Sequence, residues 1–391
     1  MKSKWETKKL SDVCTIVNGG TPDTAIKEYW GGTFLWITPK DMGKLKQFFV
    51  GDTERKITKE GLKNSSAKLL PINSVILSSR APIGHLAINS KEIATNQGCK
   101  GLIPHKNLNT FYLFYFLKKS VELLNALGSG TTFKELSGTK LATVEIPLPP
   151  LEEQHRIVSK LDDIFKDAEN AKEMAKKNVL NATSFFEQFL QGIFGKDNGW
   201  EKKTLGEVSK YFIGLTYSPK DVGDKGIIVL RSSNVQDGIL DFSDIVRVNK
   251  KVKENLIVMD GDILMCSRNG SKRLVGKTAT IKNLDEKMTF GTFMTVIRSP
   301  YNPFLSWFFK SNSFRNQING GSNPMINQIT KYMLDDITLA LPPQDIQDIT
   351  VSKIDSLYAE TKELERIYTK KILDLEELKK SVLNKAFSGE L

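Results

Sequence analysis

Two long stretches of the chain repeat apolar residues at alternating spacings of three and four, which is the pattern of a coiled-coil seam. One stretch follows Pro150 and the other follows Pro343. Helices of about 40 residues would span about 60 Å. The predicted seam includes Leu161, Ile164, Ala168, Phe185 and Phe189 in the first stretch, and Ile354, Leu357, Leu364, Leu375 and Leu378 in the second.

One seam position of each stretch is polar, namely Asn178 in the first and Lys371 in the second. A buried polar residue in a seam can fix the register of two helices at some cost in stability. The alternative is that the neighbouring apolar residues, Val179 and Ile372, take over the seam locally.

Chain order constrains how the two predicted helices are arranged. If they pair with each other, they run antiparallel and form a pseudo-two-fold rod, with one globular block at each end and the C-terminus near the first block. Alternatively, each helix folds back on its own block. Another subunit is also a candidate partner, because a two-helix rod would leave apolar residues such as Phe186, Phe194 and Phe387 to be covered.

Outside these stretches, runs rich in Val, Ile and Phe are broken by Gly, Pro and Asn, which predicts strands joined by loops. Each block also contains an aromatic, helix-like stretch, Phe111 to Leu127 in the first and Pro303 to Ile318 in the second. A Gly-rich polar loop follows each of them, at 128–134 and 320–325. The predicted fold class is therefore α/β (α+β), with mixed sheets in both blocks.

The two blocks are copies of one unit. Segments that recur along the chain are 5–13 with 200–208, 35–42 with 229–235, 74–80 with 262–268, and 146–154 with 339–347. A period of about 195 residues is that of a domain rather than of a solenoid repeat. The predicted organisation is a first domain at 1–150, a spacer helix at 151–196, a second domain at 197–343 and a C-terminal spacer helix at 344–391.

Charge separates the helices from the domains. The 391 residues carry a net charge of +11. The stretches 151–194 and 344–388 together hold 14 basic and 17 acidic residues, so the remainder of the chain is near +14. This distribution favours domains that contact a polyanion such as DNA through phosphate groups, and helices that do not.

Familiar catalytic and metal-binding motifs are missing from the sequence. Cys14, Cys99 and Cys266 are scattered, as are the three histidines, so neither a zinc site nor a disulfide framework is expected and a reducing cytoplasm fits. The segment 270–278 is one residue too long between its glycines for a phosphate-binding loop. No apolar run is long enough to span a membrane. We therefore predict no catalytic residue, metal or cofactor of this chain's own.

Loop residues with hydrogen-bonding side chains are candidates for reading base edges, because Arg and Lys suit guanine whereas Asn and Gln suit adenine. The strongest candidates are Arg80 and Arg268, which follow apolar strands at matching points of the repeat; the alternative is that they brace the fold. The full set of DNA-binding candidates is Thr38, Lys40, Ser79, Arg80, Asn96, Gln97, Lys100, Thr132 and Lys134 in the first domain, and Arg231, Ser232, Asn234, Arg268, Asn269, Lys272, Arg273, Thr292, Ser322 and Asn323 in the second.

Four segments together resemble the specificity subunits of type I restriction-modification enzymes. They are Ser-Ser-Arg-Ala-Pro-Ile-Gly at 78–84, Gly-Thr-Thr at 130–132, Pro-Leu-Pro-Pro-Leu-Glu-Glu-Gln at 147–154 and Ala-Phe-Ser-Gly-Glu-Leu at 386–391. The resemblance covers essentially the whole chain. The second domain departs from it, since Arg268-Asn269-Gly270 lacks the Ala-Pro-Ile-Gly sequence.

The resemblance implies two target-recognition domains, each reading one half of a bipartite, asymmetric site on double-stranded DNA. It also implies partners: two modification subunits that bind S-adenosylmethionine and methylate the N6 of adenine, and restriction (motor-nuclease) subunits that use ATP and magnesium. Three alternatives remain: a coiled-coil scaffold protein, an enzyme acting on nucleic acid, and a recognition subunit of another restriction-modification architecture.

Overall fold

The computed structural model describes residues 5–130, 134–319 and 328–391. The chain divides into two compact units. Unit 1 comprises residues 1–175 and 370–391, and unit 2 comprises residues 176–369. Each unit therefore contains one β-rich block together with part of both long helices.

Both β-rich blocks are built from short strands. The strands of unit 1 are β1 (Glu6–Lys9), β2 (Cys14–Asn18), β3 (Trp30–Ile37), β4 (Phe49–Val50), β5 (Arg55–Ile57), β6 (Leu69–Leu70), β7 (Val75–Ser79), β8 (Ile83–Asn89), β9 (Ile93–Thr95), β10 (Cys99–Pro104) and β11 (Glu145–Leu148). Those of unit 2 are β12 (Glu201–Thr204), β13 (Lys210–Ile213), β14 (Val222–Gly223), β15 (Ile227–Leu230), β16 (Val235–Gln236), β17 (Ile239–Leu240), β18 (Arg247–Val248), β19 (Ile263–Cys266), β20 (Thr278–Thr280), β21 (Met288–Phe290), β22 (Met294–Arg298) and β23 (Thr338–Leu341).

The helices are short within the blocks, and one long helix follows each block. In chain order they are α1 (Leu10–Val13), α2 (Pro39–Met42), α3 (Lys59–Lys63), α4 (Thr110–Lys119), α5 (Val121–Leu127), α6 (Gly138–Ala142), α7 (Leu151–Phe194), α8 (Leu205–Val208), α9 (Asn302–Phe308), α10 (Asn312–Asn319), α11 (Lys331–Asp335) and α12 (Gln344–Ser388). The helices α7 and α12 confirm the two long helices that the seam pattern predicts. Glu152 and Glu153 lie in the first turn of α7, where the helix dipole favours negative charge.

Unit 1 contains two mixed sheets. One has the strand order β2-β10-β7-β8-β4, and the other has the order β5-β3-β9-β6. Strand β7 is buried at every position, which explains why its sequence is a continuous apolar run ending in two serines. The aromatic residues of α4 pack on this sheet, and Asn109 caps the start of the helix, because its side chain accepts hydrogen bonds from the backbone N–H groups of Phe111 and Tyr112.

Unit 2 has two corresponding sheets, of which the first is wholly antiparallel and the second is mixed. Its two larger sheets have the orders β13-β22-β19-β20 and β14-β18-β15-β21. The parallel pairing of β15 with β21 corresponds to the parallel pairing of β3 with β9 in unit 1. The mixed α/β class and the repeat are therefore both confirmed in the described part of the chain.

Within unit 1, α7 and α12 pack against each other and run antiparallel. Lys172 pairs with Glu376, and Glu169, one turn earlier on α7, pairs with Lys379, one turn later on α12. Phe387 near the end of α12 packs on the aromatic residues of α4, with its ring centroid 4.9 Å from that of Tyr112. The last turns of α12 are therefore part of the core of unit 1.

Within unit 2 the same two helices also pair antiparallel. The hydroxyl of Thr183 donates a hydrogen bond to the carboxylate of Glu365 at 2.9 Å. Three residues further along α7, the ring of Phe186 lies 5.3 Å from that of Tyr358 on α12. Phe186 is buried by these contacts and by Trp307 of the same unit.

Several predicted seam residues face solvent. Phe185 is 60% exposed, Leu364 42% and Leu378 45%, and Lys371 is also exposed, whereas Ile372 is half-buried. The reason is that Lys379 and Glu365, each one position further along α12, turn toward α7 instead. Long charged side chains can pack their apolar stems along a seam while their charged groups pair across it. A search for apolar residues does not detect such seam positions.

The remaining seam predictions fall on the inner side of the helices. Buried residues are Leu161, Ala168 and Ile354, and half-buried residues are Ile164, Asn178, Phe189, Leu357 and Leu375. The expectation that Phe186 and Phe387 need cover from another subunit was wrong, because both are buried in their own unit. Phe194 is half-buried against Phe304 and Phe308.

Candidate nucleic-acid interface

In unit 1 the parallel pairing of β3 with β9 places the carboxyl ends of both strands at one edge. The backbone N–H of Asn96, just after β9, donates to the carbonyl of Ile37 at the end of β3. The end of β7 joins them, since the N–H of Ser79 donates to the carbonyl of Gly98 at 2.8 Å. Residues from three separated segments thus form one loop cluster, defined here by 38–40, 79–80 and 96–98.

Unit 2 builds an equivalent cluster with the same backbone hydrogen bonds. The N–H of Gly291 donates to the carbonyl of Leu230, and the N–H of Ser267 donates to the carbonyl of Phe293, both at 2.9 Å. Arg268 therefore stands where Arg80 stands in unit 1. The second loop cluster is defined by residues 231–234, 267–274 and 291–293.

Both clusters present polar and charged side chains to solvent. The exposed candidates are Lys40, Gln97 and Lys134 in unit 1, and Arg268, Lys272, Arg273 and Thr292 in unit 2. Half-buried candidates are Thr38, Arg80, Asn96, Arg231, Ser232 and Asn269. Sequence reasoning thus named residues from both clusters, and the fold brings them together.

Three candidates are buried, and we revise the prediction of direct DNA contact for them. Ser79 and Asn234 are at most 1% exposed and Lys100 is 6% exposed. The amide of Asn234 donates to the carbonyls of Asp241 and Asp244, so this residue holds the loop that follows β17. Lys100 lies inside the sheet on β10, between β2 and β7.

Other candidates shape the backbone of the clusters. Thr38 caps α2 by accepting from the N–H of Asp41. Asn96 accepts from the N–H of Gly98 at 3.0 Å. In unit 2, the amide of Asn269 donates to Ser232 at 3.0 Å. Such bonds orient the loops from which exposed neighbours project.

Candidates Thr132, Ser322 and Asn323 lie outside the described residues. The described residues that follow these positions, Glu135 and Gln328, lie beside the two clusters. Glu135 forms a backbone bridge with Arg80, and Gln328 forms the corresponding bridge with Arg268.

The electrostatics of the first cluster centre on Glu135. Its carboxylate lies 3.7 Å from the guanidinium of Arg80. Burial lowers the pKa of Lys100, and the negative charge of Glu135 opposes that shift. Arg80 and Lys100 thus share one acidic neighbour, which neutralises part of the positive charge of this cluster.

Sequence reasoning missed two contributors. Thr21 forms a hydrogen bond with Gln97, and it belongs to the Asn18-Gly19-Gly20-Thr21 segment after β2. The signal that could have found it is that Gly-rich, polar composition directly after a strand. Phe293 is 53% exposed in the second cluster, and its position after the polar Thr292 gave no distinct signal.

The thiols of Cys14 and Cys99 are poorly suited to nucleophilic chemistry. Burial raises the pKa of Cys14 and of Cys99 to about 12 in each case, which disfavours the reactive thiolate. Among residues 5–130, 134–319 and 328–391, no group of three or more His, Cys, Asp and Glu side chains could hold a metal ion. No helix in the described part of the chain is both long and apolar enough to cross a membrane.

Comparison with known proteins identifies the family. The model of the type I restriction modification DNA specificity domain matches residues 2–182 and 197–373. This chain belongs to that family. The two matches coincide with the two copies of the repeat, so each unit holds the greater part of one specificity domain.

Individual relatives agree with this assignment. The MjaIX specificity subunit of Methanocaldococcus jannaschii, a type I restriction enzyme component, is 36% identical over 235 residues, which cover 56% of this chain. The chain spans about half of that relative's length, 54%.

Solved structures support the fold over the whole chain. A chain from a study of complex assembly and conformational transition in the type I R-M system superposes with a TM-score of 0.78, at 19% identity, covering 99% of this chain and 98% of that one. The HsdS subunit of Thermoanaerobacter tengcongensis gives a TM-score of 0.67 at 19% identity, covering 100% of this chain and 98% of that one.

Proposed function

We propose that this chain is the sequence-reading subunit of a type I restriction-modification complex. Each loop cluster reads one half of a bipartite site on double-stranded DNA. The observation that carries the proposal is the same backbone framework built twice, each time ending in exposed hydrogen-bonding and basic side chains, within a family of DNA specificity domains. Phosphate contacts would position each unit, and a few side chains would read base edges.

The two half-sites are expected to differ in sequence. The scaffold is shared, but its side chains are not: the exposed Gln97 of unit 1 is replaced by the exposed Thr292 at the equivalent place in unit 2, and Gly98 is replaced by Phe293. Different donors and acceptors at equivalent places select different base pairs. The target is therefore bipartite and asymmetric.

Chemistry on the DNA would come from partner subunits, and this chain is a non-catalytic component. Two modification subunits would bind S-adenosylmethionine and transfer its methyl group to the N6 of an adenine, which must leave the base stack to be reached. Restriction (motor-nuclease) subunits would supply ATP- and magnesium-dependent cleavage. This chain's own residues bind DNA and select the site, which places the protein in the cytoplasm with the chromosome.

Exposed apolar residues on the long helices support docking of the modification subunits there. Met174 and Leu378 are exposed within unit 1, and Leu180, Phe185 and Leu364 are exposed within unit 2. Apolar side chains in solvent on otherwise charged helices are typical of protein interfaces. Pairing of α7 with α12 leaves these residues uncovered within each unit.

Methylome sequencing of a host that carries this chain and its partner subunits tests the proposal. The expected result is one N6-methyladenine motif of two unlike specified parts separated by a fixed unspecified gap. A host lacking this chain but retaining the partners is the control and should show no such motif. Methylation of a continuous or palindromic motif, or the same motif in the control, would contradict the proposal. A scaffold protein would also fail to bind duplex DNA with a steep dependence on salt.

A further inference from the structure

Phe293 is an aromatic residue that unit 2 leaves in solvent at the tip of the second loop cluster. It lies between β21 and β22, and its side chain is 53% exposed. The neighbouring residues of the loop are polar or small, namely Gly291 and Thr292. Within its own loop, the ring is therefore the exposed apolar side chain among polar or small neighbours.

The backbone holds this ring in a defined place. The carbonyl of Phe293 accepts hydrogen bonds from the N–H groups of Ser267 at 2.9 Å and Arg268 at 3.1 Å. The guanidinium of Arg268 lies 5.4 Å from the centroid of the ring, which is within the range of a cation–π contact. An apolar face and a guanidinium are thus presented together.

Concave surfaces flank the ring. Phe293 lines a cavity of about 810 Å³ that also includes Arg231 and Tyr217. It lines a second cavity of about 820 Å³ that includes Ile213 and Tyr332. A ridge between two hollows, with arginines at its side, is suited to entering a groove of DNA.

Unit 1 has no counterpart of the ring. Gly98 occupies the equivalent place, because its carbonyl accepts from the N–H of Ser79 as that of Phe293 accepts from Ser267. A Cβ atom on Gly98 would lie 3.0 Å from Pro39 and 3.2 Å from Arg80, so the loop of unit 1 has little room for a side chain there. Among the described residues, the position that carries Phe293 in unit 2 is therefore occupied by a glycine in unit 1.

We propose that Phe293 recognises the 5-methyl group of a thymine in the half-site that unit 2 reads, and this rests on the function proposed above. The thymine methyl is the apolar group on the base edges of the major groove, and apolar side chains contact it there. Arg268, beside the ring, contacts the adjoining guanine edge or phosphate. Unit 1, with Gly98, does not read a thymine in this way.

The test begins with selection of duplexes from a random library by the full chain in complex with its modification subunits. Each thymine of the selected site is then replaced singly by deoxyuridine, which removes only the methyl group. We expect one thymine, in one half-site, at which the replacement weakens binding about fourfold, the value of one buried methyl group.

Matched variants assign that effect to the ring. Phe293→Ala should bind the thymine duplex about fourfold more weakly than the wild type and should be insensitive to deoxyuridine at that position. Phe242→Ala removes another exposed ring of unit 2, which is 41% exposed, and should retain the sensitivity. Thermal unfolding of both variants checks that they fold as the wild type does.

The possible outcomes distinguish failure of the thymine contact from failure of the specificity function on which it rests. Equal sensitivity to deoxyuridine in Phe293→Ala and the wild type, or insensitivity of both, overturns the thymine contact while the specificity function stands. Loss of affinity for all sequences alike in Phe293→Ala also overturns it, because that result marks a wedge between bases rather than a reader. Failure of the wild-type complex to select any sequence overturns the proposed function itself.

Discussion

The two loop clusters share a backbone framework and differ in how their arginines are held. In unit 1, Arg80 lies beside the carboxylate of Glu135. In unit 2, Gln328 stands where Glu135 stands, and Arg268 lies instead against the exposed ring of Phe293. A duplicated scaffold has thus kept its hydrogen bonds while the charge and shape at its tip have diverged, as expected for two surfaces that read different sequences.

A second difference lies beneath the loops. In unit 2, the hydroxyl of Ser267 donates to Thr295 at 2.5 Å. The equivalent residues in unit 1 are Ser79 and Lys100, and the hydroxyl of Ser79 is buried without a hydrogen-bond partner among the described residues. Burial of a lysine carries a desolvation cost that a hydrogen-bonded pair of serine and threonine does not carry. The buried residues beneath the first cluster therefore carry a larger desolvation cost than those beneath the second.

The largest expected effect comes from shortening the spacer and leaving both clusters untouched. Removing 174–180 from α7 together with 368–374 from α12 deletes matched pairs of helical turns and keeps the Lys172–Glu376 and Thr183–Glu365 contacts. Loss of about 10 Å of helix should shorten the unspecified gap by about three base pairs and abolish modification of the original site. Methylome sequencing measures this. A changed half-site sequence would show that the helices do more than set the gap, and deletion from α7 alone is the mismatched control.

Equivalent glycines test whether the framework is shared. A Cβ on Gly19 would lie 1.9 Å from the carbonyl oxygen of Asn96, and one on Gly214 would lie 2.2 Å from that of Gly291. Alanine at either position should destabilise its own unit by about 2–4 kcal/mol, because backbone must shift. Thermal unfolding and half-site preference are the measurements. Gly223→Ala, where a Cβ meets no atom within 4 Å, is the control. A large effect at one position only would mean that the two frameworks differ.

Substitution of the two arginines compares their availability to DNA. Arg268→Ala should weaken binding about 10- to 100-fold if the arginine reads a base. Arg80→Ala should cost less, because Glu135 already neutralises part of the charge of Arg80. Glu135→Gln should release Arg80 and strengthen binding a few-fold at low salt, an effect that salt screens. Titration of duplex DNA at several salt concentrations measures all three. Equal losses from both alanine variants would contradict the difference drawn between the units.

The smallest expected effect concerns Lys100, whose pKa is lowered by burial. Between that lowered value and the ordinary 10.5, the unfolded chain binds more protons than the folded one, so the lysine makes stability rise with pH in this window. Lys100→Thr, which copies Thr295, should remove that rise and offer Ser79 a partner. The variant's stability relative to wild type should therefore be greatest at neutral pH and decline as pH approaches 10.5. Denaturant unfolding at several pH values measures it. A parallel pH dependence in both proteins would show that Lys100 is not the titrating group.

Sequence reasoning predicted the architecture but not which helix residues are exposed. Periodicity located α7 and α12, and the repeat indicated two tandem copies of one fold, because both patterns are carried by residues close in sequence. It placed Phe185 and Leu364 in the seam, although both are exposed. The spacing of apolar residues is compatible with two neighbouring seams on one helix. Which seam forms depends on which charged residues of the partner helix can pair across the contact.

The candidate site was predicted in outline for the same reason. Arg80 and Arg268 follow buried strands at matching points of the repeat, which the sequence alone indicates. The burial of Ser79, Lys100 and Asn234 could not be foreseen, because a polar residue after an apolar run can point to either side of a sheet. Phe293 was missed because a single aromatic residue in a sequence does not indicate whether its ring is buried or exposed.

What the amino-acid order by itself determined is the duplication, the two long helices and the basic character of the two blocks, since each depends on local spacing or on composition. Only tertiary structure decided which loops meet, because the ends of β3, β7 and β9 are brought together by hydrogen bonds between residues distant in the chain. The same holds for the exposure of each side chain at the tip. Burial is a property of the whole fold, since it depends on neighbours that arrive from other strands.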